Sequence, residues 1–525
     1  MKKQQQYCEC KFGTFFLKRF AAGHFLCLFF LLLLPQIVSA ELGLPALFCD
    51  HMVLQRDREI HVWGWGDPGK YIDINLAGVT TSTVCAPDGC WEAVLPALPA
   101  SGPYKLTVCS DKQELVVQDI LVGEVWLVSG QSNMEMILKD TDGVEEERAV
   151  ANNLRIRHFK VPRKVSENPE RDTGGQWIVC TPDKAMWFSA VAYYFSKELV
   201  ADLDVPVGII NSSRGASQII PWVPLADIEK NSVFTQDLQK WADAQLKYPV
   251  AKIAYEKRLI EWTQSDPACR GRKPYEPYGP GHYNTPAGLF NGMIAPLTRY
   301  DIRGVLWYQG EANANRADKY YQEFPVLINA WRVAFGQENL PFLFVQLPGY
   351  LPKNEKIPES WAQLRSAQAA ALSLPFTAMA VTIDVGSKTN VHPKNKKSVG
   401  HRLALLAKTL IYGKEQTCCG PTFKSIGFSE NQIIIHFMPG TAEGLKTANG
   451  QPPTGFLIAG SDGVFQEATA VISNDRIILI NPLNDNVLQK KIRYAWENFP
   501  SVNLINSAGL PAVPFEASFA EPETP

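Results

Sequence analysis

The chain has 525 residues and nearly balanced charge, because 51 Lys and Arg face 53 Asp and Glu for a net charge of -2. Without a block of like charges, this balance excludes the electrostatic footprint of a nucleic-acid partner or an anionic membrane, so we expect a neutral or small partner. The length is too great for one hydrophobic core and predicts two or three domains.

Residues 1–40 have the pattern of a secretory signal. Lys2 and Lys3 open the segment, an apolar run covers 25–34, and Val38-Ser39-Ala40 provides small residues for cleavage before Glu41. We therefore expect an exported protein, periplasmic or extracellular, with no stable membrane insertion after cleavage. A retained anchor is the alternative, but the apolar run is short against the roughly 20 residues of a spanning helix.

The remaining chain divides into three regions. Short alternating strands with turn signals at 41–118 predict an N-terminal β module. From 119 to 415, apolar runs alternate with helical stretches, which is typical of a parallel sheet with crossover helices. Residues 416–525 return to short strands and predict a second β module.

Within the middle region the pattern places six strands and four helices. The strands are Val125–Val128, Leu154–Phe159, Val207–Ile210, Gly304–Trp307, Phe342–Gln346 and Thr377–Ile383, and the helices lie at about 187–201, 320–335, 360–373 and 396–411. A polar helical stretch and a Pro/Gly/Tyr-rich loop interrupt this rhythm at about 221–287. This insertion either shapes a substrate cleft or is a solvated excursion without a role.

Eight of the eleven cysteines follow the signal segment. Export permits disulfides, and Cys85 with Cys90 brackets a turn that suits a short bridge, while Cys418 and Cys419 are adjacent. Burial as reduced thiols is the alternative for the others. No Cys-x-x-Cys or His-x-x-x-His spacing occurs, so we expect no structural zinc site.

Two loops that follow predicted strands carry candidate catalytic groups, since ligands of an open parallel sheet bind beyond the carboxyl ends of its strands. Ser132 follows the strand ending at Val128, where a hydroxyl faces a cleft and its own N–H, near a helix N-terminus, stabilises an oxyanion. A helix-capping serine is the alternative. Gly215 follows the strand ending at Ile210 and allows close approach of a ligand, although an ordinary turn explains it equally.

Two further loops complete the set. Gln309 and Asn313 are neutral donors suited to a developing negative charge, and Glu311 between them is a candidate brace for the loop. His392 is the candidate general base, because neutral imidazole near pH 7 takes and returns a proton. A serine, a glycine, donor amides and a histidine at one edge of one sheet together indicate acyl transfer.

These segments resemble the sialate O-acetylesterase family within the SGNH hydrolases. The similar stretches are Gly130-Gln-Ser-Asn-Met134, Gly215 in its loop, Pro286 to Pro296, Trp307-Tyr-Gln-Gly-Glu311, His392 to Gly400, Trp63 to Gly69, Arg493 to Trp496 and Gly509 to Phe515. They cover nearly the whole chain after the signal. The resemblance implies an α/β fold, a three-layer SGNH-type (flavodoxin-like) parallel sheet with flanking all-β modules.

The resemblance also implies roles for individual residues. Ser132 is then the nucleophile, His392 the base, and the Ser132 and Gly215 N–H groups form the oxyanion hole with the amide of Gln309, or with that of Asn313 as the alternative.

One position departs from the wider group, which often has an aspartate three residues before the histidine. Thr389 stands there. Asp384 is the nearest upstream acid, and the orienting group is Asp384, a backbone carbonyl, or none, which would leave a dyad. Asp384 is alternatively a structural residue that ends the strand.

The predicted function is a serine esterase that removes O-acetyl groups from sugars through an acetyl-enzyme, with 9-O-acetylated sialic acids as the first candidate substrate and no metal or cofactor. Acetyl-xylan or another plant glycan is an alternative substrate, and a lipase-like or thioesterase activity an alternative reaction. An inert carbohydrate-binding surface protein is the alternative of another class. The oligomeric state and the acetylated hydroxyl stay open.

Overall fold

In the computed structural model, the described residues are 41–267, 269–353, 357–429, 432–480 and 489–519. The predicted signal segment, 1–40, lies outside them. Among the described residues, no helix combines the length and the apolar character that crossing a bilayer requires.

The N-terminal region is built from antiparallel strands with one buried face. In β3 (Tyr71–Leu76), Ile72, Ile74 and Leu76 are buried and alternate with more exposed residues. This two-residue period is expected of a half-buried strand. β3 pairs with β4 and β6, and β2 pairs with β5. The strands are β1 Val53–Gln55, β2 Ile60–Trp65, β3 Tyr71–Leu76, β4 Val79–Val84, β5 Cys90–Leu95, β6 Ser101–Ser110 and β7 Gln113–Gly130.

Strand β7 joins the N-terminal region to the middle region. Its first part pairs antiparallel with β6, and its second part pairs parallel with two strands of the central sheet. Every residue from 120 to 130 is buried, as in a strand covered on both faces. The expected boundary at 118/119 therefore falls inside one continuous strand rather than in a linker.

After β7 the chain forms β8 Asn153–Lys160, β9 Trp177–Cys180, β10 Val207–Ser213, β11 Gly304–Tyr308, β12 Phe342–Val345 and β13 Thr377–Ala380. With β7 these strands form the central sheet, in the order β13-β12-β11-β7-β10-β8-β9. All pairs in it are parallel except β8 with β9. Each of the six predicted strands is present.

Helices cover this sheet and complete a three-layer α/β fold. α4 (Ala190–Leu203) packs against α9 (Lys396–Leu410), and α7 (Ala317–Ala334) packs against α8 (Ser360–Ala370). Side chains cap two of these helices, since Ser189 accepts from the Ala192 N–H and Asn395 from the Ser398 N–H. The helices are α1 Ser132–Glu135, α2 Val144–Val150, α3 Pro182–Ala185, α4 Ala190–Leu203, α5 Leu225–Lys230, α6 Thr235–Gln264, α7 Ala317–Ala334, α8 Ser360–Ala370 and α9 Lys396–Leu410.

The insertion is dominated by α6, a helix of 30 residues in which only Asp237 is buried. Its predicted polar, helical character is confirmed. Arg316 fixes the start of α6 to the central region, because its guanidinium donates to both carboxylate oxygens of Asp237 at 2.9 and 2.6 Å.

The C-terminal region is a β module with its own apolar cluster, which includes Ile435, Ile458 and Ile492. The buried Arg365 of α8 ties it to the central region by donating to the carbonyls of Ala495 and Glu497. Its strands are β14 Phe423–Ser429, β15 Gln432–Phe437, β16 Lys446–Thr447, β17 Phe456–Gly460, β18 Phe465–Glu467, β19 Thr469–Ser473, β20 Arg476–Ile480, β21 Gln489–Tyr494, β22 Leu504–Ile505 and β23 Phe515–Ser518.

The eight cysteines of the described residues are all free thiols. Neither Cys85 with Cys90 nor Cys418 with Cys419 forms the bridge that their spacing allows. Cys85 is buried and donates instead to the Gly66 carbonyl.

Candidate active site

Three candidate loops leave the central sheet side by side. Gly130, at the end of β7, lies opposite Ser213 of β10 and Tyr308 of β11. Because these strands are parallel, the loops that carry Ser132, Gly215 and Gln309 emerge at the same edge, as the sequence predicts.

The turn before Ser132 requires glycine. Gly130 has a φ of 128°, and a Cβ atom there would lie 2.1 Å from the Tyr308 carbonyl oxygen. The next N–H, that of Gln131, donates to the same oxygen at 2.9 Å. This close approach of two backbones directs Ser132 into the first position of α1, at the sheet edge.

Ser132 and His392 meet at this edge although 260 residues separate them. The Ser132 Oγ and His392 Nε2 atoms are 2.7 Å apart, within hydrogen-bond reach for proton transfer. The His392 loop runs from β13 to α9, and the Asn390 side chain steadies it by accepting the His392 N–H at 3.0 Å.

The environment of His392 favours its neutral form. Its half-buried position is the main cause that lowers its pKa below 6.5, and the positive charge of Lys396 lowers it further. A neutral imidazole near pH 7 is able to accept the hydroxyl proton of Ser132.

Asp384 is engaged away from the base. Its two carboxylate oxygens each accept a hydrogen bond of 2.6 Å from Arg402, whose guanidinium also donates to the Val381 carbonyl. Within the described chain no hydrogen bond joins Asp384 to His392, and none reaches His392 Nδ1. The placement matches the structural alternative for Asp384, in which a carboxylate fixes the end of β13 to α9.

The expected oxyanion donors differ in their availability. Ser132 begins α1, so its N–H has no partner inside the helix. The Gly215 N–H instead donates to Glu135 Oε2 at 3.0 Å. Gly215 is nonetheless adjacent to the nucleophile, because a Cβ atom on it would lie 3.5 Å from Ser132 Cβ.

The two side-chain amides are buried and internally bonded. Gln309 Nε2 donates to the Ser217 carbonyl at 3.2 Å and to Asn313 Oδ1 at 2.8 Å. Asn313 Nδ2 donates to Glu323 at 3.3 Å. Gln309 therefore has to exchange one of these hydrogen bonds before it can donate to an oxyanion, and its role, like that of Gly215, stays a prediction.

Sequence reasoning missed Glu135, which lies beside the nucleophile. Its carboxylate accepts the Gly215 N–H and also Arg163 Nε at 2.8 Å. Glu135 follows the serine motif directly, but nothing local to it predicts partners 28 and 80 residues away.

The insertion reaches the same edge. Arg214 donates to the Gly215 carbonyl at 2.6 Å, and its guanidinium lies 4.5 Å from the ring centroid of Tyr283. Tyr283 belongs to the Pro/Gly/Tyr-rich loop, so this part of the insertion borders the nucleophile. The arrangement favours the cleft-forming role over a solvated excursion.

A serine and a histidine within hydrogen-bond reach at the carboxyl edge of a parallel α/β sheet are the arrangement that ester hydrolysis by a serine requires. A family model described as carbohydrate esterase, sialic acid-specific acetylesterase, matches residues 282–409. The sialate O-acetylesterase of Rattus norvegicus is 31% identical over 449 residues, covering 77% of this chain and 81% of that protein. The human enzyme is 30% identical over 451 residues, covering 77% and 79%. The chain belongs to the sialate O-acetylesterase family.

The fold also agrees with an experimental structure. A carbohydrate acetylesterase from Xanthomonas citri is 37% identical, covers 91% of this chain and 99% of its own, and superposes with a TM-score of 0.77. The predicted fold class, esterase class and family are thereby confirmed.

Proposed function

We propose that this protein hydrolyses O-acetyl esters on sugars through an acetyl-enzyme formed on Ser132. The observation that carries the proposal is the 2.7 Å contact between Ser132 Oγ and His392 Nε2 at the carboxyl edge of the sheet. A serine hydroxyl is a weak nucleophile unless an adjacent base takes its proton, and His392 is that base.

The reaction proceeds in two halves. Ser132 Oγ attacks the acetyl carbonyl carbon as its proton passes to His392 Nε2, and the imidazolium then protonates the sugar oxygen as the ester C–O bond breaks. Water attacks the acetyl-serine next and gives its proton to His392. Collapse of that intermediate releases acetic acid and returns the proton to Ser132.

We infer a dyad rather than a complete triad. Asp384 is bound by Arg402, and in the described residues no carboxylate bonds to His392 Nδ1. Burial and the Lys396 charge already hold the pKa of His392 below its usual range, so the imidazole is neutral at the start of the reaction without an acid partner. The Ser132 N–H is the first oxyanion donor in this scheme.

The first candidate substrate is a 9-O-acetylated sialic acid, and the names of the family and of its mammalian members support the sialic acid part of this choice. The alternative is an acetylated plant glycan such as acetyl-xylan, and the Xanthomonas citri relative, described only as a carbohydrate acetylesterase, fits either substrate. Parallel release of acetate from O-acetylated sialic acid and from acetyl-xylan decides between them. A higher kcat/KM on acetyl-xylan would replace the sialate assignment.

A fluorophosphonate probe tests whether the site is catalytic. We expect covalent labelling of the wild-type protein and none of Ser132→Ala. An unlabelled wild-type protein would support the inert carbohydrate-binding alternative. Export to the periplasm or the medium belongs to the same proposal and is tested by mass spectrometry of the mature N-terminus, which we expect at Glu41.

A further inference from the structure

Behind the nucleophile, three polar side chains form a chain of hydrogen bonds. Lys396 Nζ donates to Asn133 Oδ1 at 2.5 Å, and Asn133 Nδ2 donates to Glu311 Oε1 at 2.5 Å. Asn133 and Lys396 are completely buried. We call these three residues the buried cluster.

The buried cluster joins the two halves of the catalytic pair. Asn133 directly follows Ser132, and its Nδ2 also donates to the carbonyl of Val391, the residue directly before His392, at 3.0 Å. The Asn133 side chain therefore connects the serine turn to the histidine loop. Lys396, the first residue of α9, holds the Asn133 side chain by its hydrogen bond.

The charges of the buried cluster are costly and depend on each other. Burial raises the pKa of Glu311 to about 7 and lowers the pKa of Lys396 to about 7, and each opposite charge opposes the shift. The Tyr308 ring, 5.2 Å from Lys396 Nζ, gives the ammonium further support. Apolar side chains would fill this space at lower cost, so two opposite charges bridged by a buried amide suggest a functional reason.

The buried cluster also acts on the base through the charge of Lys396. Other charged side chains of the histidine loop are Asp384, Lys388 and Lys394. Glu135 and Arg214 bond to the backbone of the neighbouring Gly215. Among the described residues, Lys396 is the charged group that, after burial, lowers the pKa of His392.

We propose that Lys396, acting through Asn133, whose amide Glu311 also holds, is the positioning residue of the catalytic pair and takes the orienting role that a carboxylate on His392 has in a complete triad. It holds the histidine loop by the Val391 backbone rather than by the imidazole. The inference rests on the proposed function only in naming His392 as the base.

The test compares Lys396→Met with Lys397→Met, which removes the neighbouring, exposed lysine of the same helix. Three quantities are measured: kcat and KM on a small acetyl ester, the pH dependence of kcat/KM, and the His392 pKa by NMR titration. For Lys396→Met we expect kcat to fall on the order of 10- to 100-fold with little change in KM, since small displacements of a base are costly. In Lys396→Met the pKa of His392 rises and the pH profile of kcat/KM shifts to higher pH. In Lys397→Met both quantities and kcat match wild type.

A third variant separates geometry from charge. Lys396→Gln keeps an N–H donor for Asn133 but removes the charge, so we expect the same direction of pKa change with a smaller loss of kcat. A Lys396→Met protein that melts cooperatively and matches Lys397→Met in kcat and pH profile overturns the proposal. If neither Lys396 variant melts cooperatively, the cluster is a folding requirement and the positioning role is overturned as well.

The His392 titration does not require turnover, so it distinguishes the two proposals. Full activity of Ser132→Ala would overturn the proposed nucleophile, while the His392 pKa of Lys396→Met would still report on the cluster.

Discussion

Replacement of Asp384 by asparagine separates a dyad from a triad. The change keeps the size of the side chain and removes its charge. At a triad aspartate this change lowers kcat by roughly 10⁴-fold, because the histidine loses its orienting partner. In this protein Asp384 bonds to Arg402, so we expect kcat of Asp384→Asn to stay within about threefold of wild type.

The expected cost of Asp384→Asn is in stability instead. Breaking a fully buried ion pair costs about 3–5 kcal/mol. The Asp384 side chain is 32% exposed and that of Arg402 is 9% exposed. Solvent screening and the retained amide oxygen therefore reduce the expected loss to about 1–2 kcal/mol.

The assay measures kcat on a small acetyl ester together with thermal unfolding. Asp475→Asn is the matched control, since the Asp475–Arg476 pair has side chains 72% and 43% exposed and a separation of 3.8 Å. Such an exposed pair contributes little, so the control should change neither quantity. A loss of about 10⁴-fold in kcat without a change in melting temperature would refute the dyad.

Three other predictions concern the base, the serine turn and the cysteines. The value of kcat/KM should rise with pH through a midpoint below 6.5, because His392 acts as the neutral base and its pKa is lowered. A midpoint above 6.5 would contradict a lowered pKa of His392. Gly130→Ala should fail to fold or lose several kcal/mol of stability, because its Cβ would lie 2.1 Å from a backbone oxygen. The control Gly69→Ala has φ 77° and open space around it, so it should cost about 1 kcal/mol in thermal or urea unfolding. Equal effects of the two variants would count against the close turn. Iodoacetamide labelling of the denatured, unreduced mature protein should modify eight cysteines, and a smaller number would reveal a disulfide.

Much of the fold could be predicted because its signals are local. The six central strands are apolar runs, as strands covered on both faces require. Because these strands run parallel, the loops that carry Ser132 and His392 emerge at one edge. The long polar helix of the insertion was predictable in the same way. The continuity of β7 was not, since the pattern changes from alternating to fully buried within one strand and such a change imitates a domain boundary.

The partners of charged residues were the least predictable part of the site. Asp384 and Arg402 are 18 residues apart, and only the placement of α9 against β13 brings them together. Lys396 and Lys397 are adjacent in sequence, yet one is fully buried and the other exposed. The orientation of α9 against the serine turn decides which lysine is buried, and the residues next to the two lysines do not set that orientation.

The most direct test of the account is to locate the acetyl group during turnover. Acid quenching of the enzyme with excess acetyl ester, followed by peptide mass spectrometry, should find one added acetyl group on the peptide that contains Ser132, and none on Ser132→Ala, whose hydrolysis should be abolished. An acetyl group on another residue, or a Ser132→Ala variant with wild-type activity, would contradict Ser132 as the nucleophile.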